Sequence, residues 1–110
     1  MNADSRRGYE RATERAFGLC ESCGRAQAQQ VHHRLHRSHG GGESPSNLLH
    51  LCQPCHGDAH TASDRYVIGV SIRSGKGPEH EPRNRPVLYR GRWVFLTADG
   101  GIQEQGKVEF

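Results

Sequence analysis

With 110 residues and 33% hydrophobic content, the chain has material for one small core, and a domain of that size usually needs a covalent or metal staple. The stretch from Met1 to Gly8 is polar and nothing later approaches the length of a membrane span, which argues against a membrane partner or a secretory leader and for the cytoplasm. The formal charge of +3 is too small to name a nucleic-acid partner, yet thirteen of the fifteen basic residues are arginine, whose planar fork fits phosphate.

Residues 4–17 read as a short charged helix, with Asp4 or Ser5 as N-cap, Tyr9, Ala12, Ala16 and Phe17 along one apolar stripe, and Gly18 as the stop. Cys20-Glu-Ser-Cys23-Gly24 follows as a knuckle, two thiols on a turn that the glycine lets bend back. Gln29–Leu35 is a plausible strand, residues 38–46 form a loop carrying Gly40, Gly41, Gly42 and Pro45, and residues 47–51 make a second strand. Cys52-Gln-Pro-Cys55 is a second knuckle, with Pro54 suited to a first helical turn, and the helix is expected to run from there to about Tyr66. Tyr66–Ile72 is a β-branched run, and residues 73–86 are a linker rich in glycine, proline and charge. Residues 87–96 resemble a hairpin turning at Arg90-Gly91. Arg83, Arg85, Arg90 and Arg92 form a stretch without an intervening acid, readable as phosphate contacts on DNA or as a solvated loop.

Two groups of side chains carry chemistry. Cys20, Cys23, Cys52 and Cys55 form two Cys-x-x-Cys pairs with 28 residues between them and no cysteine left over, the arithmetic of a four-thiolate structural zinc site. His56 and His60 lie four apart, so on a helix both imidazoles can address one ion. The second knuckle starts that helix beside the strand bearing His32 and His33. Adjacent strand residues point to opposite faces, so these two histidines should do different work, one on a metal and one on water.

In order and roughly in spacing, Cys20-x-x-Cys23, Val31-His-His33, Ser38-x-Gly-Gly, Pro45-x-Asn-Leu48, Leu51-Cys-x-x-Cys-His56 and His60 resemble the HNH endonucleases that carry a four-cysteine zinc accessory. More loosely, the chain is similar to short free-standing HNH proteins of phages. The resemblance implies a small α+β fold, a ββα-metal (His-Me finger) core stapled by the knuckle pair. Residues 1–66 would be the nuclease domain with its N-terminal helix, and residues 67–110 a short β-rich extension. It further implies a metal-dependent endonuclease cutting DNA to 5′-phosphate and 3′-hydroxyl ends. His33 would be the general base, Asn47 the residue that orients it, and His32, His56 and His60 the ligands of one catalytic divalent cation. Imidazole suits zinc, nickel, manganese or cobalt better than magnesium, and the ion stays open. Gln30 departs from the glutamate of the colicin-type pattern, and His36 and His39 lie near enough to compete as ligands. A phage terminase is a possible partner, with homing and restriction as other roles; oligomeric state stays open.

Two other functions fit parts of the pattern. A non-catalytic zinc module binding nucleic acid would need the cysteines but not His33. A thiol redox protein fits less well, because two pairs framing one motif suit a metal and no thioredoxin-like strand and helix surround either pair.

Overall fold

The computed structural model describes residues 2–105, so the last five residues of the expected extension lie outside the described residues. Helix α1 spans Ala3–Ala16. Its N-cap is Asn2, whose side-chain oxygen accepts from Ser5 N at 2.8 Å, and not Asp4 or Ser5. Phe17 ends it in the left-handed region (φ 53°), its N–H shared between the Thr13 and Glu14 carbonyls, one residue before the expected glycine stop. Ala12 and Ala16 are buried as the stripe requires, but Phe17 is 89% exposed because the αL turn swings it off the apolar face.

Strand β1 (Gln30–His33) pairs antiparallel with β2 (Leu48–Leu51), setting His32 opposite Leu49 and His33 opposite Leu48. Helix α2 (Gln53–Thr61) carries Pro54 in its first turn as expected but stops at Thr61, because Ala62 is extended. The residues that would have continued it form turns, and residues 66–72 form no strand. They pack as an irregular arm against β1, with the Ile72 N–H donating to Arg34 O at 2.9 Å. Strands β3 (Val87–Tyr89) and β4 (Arg92–Leu96) make the hairpin. Its two turn residues, Arg90 and Gly91, both have positive φ (50° and 85°), the conformation that matches the twist of a tight hairpin. A third strand, β5 (Ile102–Glu104), adds to β4; it is exposed along its length and so carries no hydrophobic alternation to announce it.

One apolar cluster joins these parts. Leu49 and Leu51 from β2 and Ala59 from α2 meet Val70 of the arm and Val87, Tyr89, Val94 and Leu96 of the hairpin, with Cys20 and Cys52 at the edge. Two buried arginines tie the pieces. Arg15 of α1 pairs with buried Glu21 at 2.6 Å and donates to the Pro45 and Leu48 carbonyls, while Glu21 also accepts from His50 N at 2.8 Å. Arg34, which has no exposed surface, donates to Gly69 O, Ser46 O, Pro82 O and Arg85 O at 2.8 to 3.1 Å. Burial works against its charge, and those carbonyl dipoles offset that cost.

Candidate active site and metal centres

The two knuckles converge. The thiols of Cys20, Cys23, Cys52 and Cys55 all lie within 4.8 Å of one another, and Cys23 Sγ stands 3.9 Å from Cys52 Sγ. That separation is far beyond a disulfide and close to the edge of about 3.8 Å that a tetrahedron with zinc–sulfur bonds of about 2.3 Å requires. The Arg25 N–H, 3.5 Å from Cys23 Sγ, holds that thiol down to about 6, whereas burial pushes Cys52 and Cys55 up. Four crowded thiols of this kind become thiolates when a cation sits among them. The donor set is consistent with structural zinc.

A second cluster forms between α2 and β1. Ligand atoms of His32, His56 and His60 lie within 4.8 Å of one another, with His56 Nε2 3.2 Å from His60 Nε2. The i, i+4 spacing on α2 supplies two of the rings, and the third comes from β1. His32 is buried, and its Nε2 lies 2.7 Å from Val70 O. A carbonyl can only accept, so Nε2 carries the hydrogen and Nδ1 is left as the ligand atom. Such a hydrogen bond from the far nitrogen is how proteins fix the orientation of a metal-binding imidazole. Burial holds His32 down to about 4, and burial likewise lowers His60. Burial thus favours the neutral form of both, the form a ligand needs.

His33 points to the other face of β1, as strand alternation demands. Its ring meets Tyr9 of α1 edge-on at 6.1 Å between centroids, and its Nε2 lies 3.6 Å from Glu43 Oε1, too far for a hydrogen bond. Burial lowers its proton affinity more than the Glu43 carboxylate raises it. Asn47 locks the backbone just beyond: its Oδ1 accepts from Leu35 N at 2.7 Å, and its Nδ2 donates to Leu35 O and Gly42 O at 3.0 and 2.9 Å. The loop closes so tightly that a Cβ on Gly41 would stand 1.8 Å from Leu35 O. His36 lies 5.7 Å ring to ring from His60 and disfavours protons on His32, His33 and His60.

Residues 20–62 match the HNH endonuclease family. Comparison with curated proteins and with solved structures gave no match. The matched HNH segment begins at the first knuckle thiol and ends just after α2, so it encloses both clusters, His33 and Asn47. The match supports a nuclease-type function in general terms, and no helix among the described residues is long and apolar enough to cross a membrane.

Outside the HNH segment, the four arginines singled out in the sequence take different partners. Arg83 pairs with Glu81 at 3.1 Å, and Arg92 pairs with Glu104. Arg90 folds inward, donating to the carbonyls of Ala16, Leu19 and Cys20 and so fastening the hairpin to the first knuckle. Arg85 lines a small cavity beside Tyr66 and Arg73. Three contributors escaped sequence reasoning. Glu43 sits in a segment read only as a loop, the Val70 carbonyl is a backbone group, and Arg34 looks like one more surface charge; no local pattern marks any of them.

Proposed function

We propose that the protein is a metal-dependent endonuclease that hydrolyses phosphodiester bonds in DNA. The observation that carries this is the convergence of His32, His56 and His60 on one point, with His33 and its Asn47-locked loop on the neighbouring strand position. In this proposal the imidazoles of His32, His56 and His60 would hold a divalent cation beside the scissile phosphate. A cation held there would supply Lewis-acid polarisation of the scissile phosphate and of the departing 3′-oxygen.

His33 removes the proton from the attacking water. Glu43 occupies the Nε2 side, so Nδ1 is the nitrogen assigned to water, and the carboxylate stabilises the imidazolium that forms, as an acid does behind a catalytic histidine. A positioned base of this kind contributes on the order of a hundred- to ten-thousand-fold. Asn47 keeps the chain after His33 from drifting. The thiolates hold zinc as a structural staple, and apparent binding energies of roughly 10 to 16 kcal/mol make such a site decisive for a small core. The resemblance to short phage proteins adds a cytoplasmic role in phage DNA processing, with a terminase as partner, to the same proposal.

The test is nicking of supercoiled plasmid with added zinc, nickel, manganese, cobalt or magnesium, beside calorimetric metal binding. Wild type should nick only with an added ion. His33→Ala should bind the ion normally and nick at least about a hundredfold more slowly. His56→Ala and His60→Ala should bind it weakly and recover part of their activity at higher ion concentration. A His33→Ala protein that nicks at the parental rate refutes the assignment, and a wild type inert with every ion refutes the nuclease.

A further inference from the structure

The arm that follows α2 carries a cationic group outside the HNH segment. Arg73 places its guanidinium carbon 4.0 Å from the centre of the Tyr66 ring, and Arg65 places its own at 4.6 Å from the same ring. Arg65 is also tied by a 2.9 Å bond from Nη1 to Ala62 O. Stacking on an aromatic ring restrains side chains that would otherwise lose much rotamer entropy on binding. The ring, Ser71, Arg73, His80 and Arg85 border a cavity of about 180 Å³. Its one acid is Glu79, which pairs with His80 at 3.5 Å. Among the described residues, none of the ion pairs includes Arg65, Arg73 or Arg85.

This group stands next to the histidine cluster. Ser71 Oγ donates to Ala59 O at 2.5 Å and His32 reaches Val70 O, which lays residues 70–73 along α2 and β1. Guanidiniums without acidic partners, held planar beside a site for one phosphate, suit a second phosphate of the same strand.

We propose that Arg65 and Arg73, stacked on Tyr66, form a site for a backbone phosphate of the DNA strand, next to the phosphate that is cut. The proposal rests on the nuclease reading above. The site positions the strand and carries no base readout, so it tightens binding on all sequences alike.

The experiment is fluorescence anisotropy with a labelled DNA duplex over a potassium chloride series, without divalent ion, with plasmid nicking measured in parallel. Each phosphate contact adds about 0.9 to the slope of log affinity against log salt. Arg65→Gln together with Arg73→Gln, which removes the one phosphate contact, should therefore flatten the slope by about 0.9, about an eightfold loss at 0.1 M salt if the lines meet at 1 M. Arg73→Gln alone should flatten it by part of that and bind between the double variant and wild type. Arg73→Lys should keep the slope, since the charge remains, while binding more weakly. A double variant with unchanged melting temperature, parental slope and parental affinity overturns the proposal while leaving the nuclease standing. A wild type that neither binds nor nicks DNA overturns the nuclease reading instead.

Discussion

Arg34→Met replaces a buried guanidinium with an apolar chain of similar reach and leaves its carbonyl partners without a donor. The four closest acceptors divide into two kinds. Gly69 and Ser46 are buried, so their oxygens would stay unpaired, at about 1–3 kcal/mol each. Pro82 and Arg85 are only half-buried and can turn their carbonyls to water. The loss is then about 2–6 kcal/mol, a large share of the roughly 5–15 kcal/mol that stabilises a domain. At about 4 °C per kcal/mol, a mid-range loss lowers the melting temperature by on the order of 15 °C. The metal-loaded protein should be melted by circular dichroism, and amide exchange followed at Val70, Ser71 and Ile72. These amides should exchange faster than those of β2, because Arg34 holds the start of the arm through Gly69 O. Affinity for the catalytic ion should fall as well, since Val70 O orients His32. A variant melting within about 2 °C of wild type, with a parental exchange pattern at the arm, would show that Arg34 does not hold the arm.

Cys52→Ser should release the tightly held zinc and abolish the cooperative melt, since it removes one of four clustered thiols; full zinc content with a cooperative melt would exclude the structural role. Asn47→Ala loses three hydrogen bonds from a buried side chain and should cost about 2–4 kcal/mol, keeping the ion while slowing nicking by about a hundredfold as His33 drifts. Nicking at the parental rate would separate Asn47 from the base. Gly41→Ala should have the same signature for a steric reason, the 1.8 Å approach to Leu35 O, and parental activity would show that the loop yields without moving His33.

Whatever depends on near neighbours could be read from the sequence. Cysteine pairs two residues apart make knuckles wherever the chain goes, and histidines four apart share a face on any helix. Strand alternation sends His32 and His33 to opposite sides of β1, and a positive-φ turn at Arg90-Gly91 brings β3 back on β4. The ends of α1 and α2 were misjudged by one to five residues because capping is set by single backbone conformations, at Phe17 and Ala62, rather than by composition.

Tertiary structure decided which charges are spent and which are free. Arg34 and Arg90 are indistinguishable from surface arginines in the sequence, yet each collects carbonyls from segments far along the chain. Val70 acquires a part in the histidine cluster through its backbone oxygen, and Glu43 comes to face His33 across the intervening residues 34–42. Arg73 stands near the same cluster because Val70 and Ser71 bond to β1 and α2. A hydrogen bond or ion pair between distant segments depends on where the folded backbone puts both partners, and residue type records only the capacity to make it.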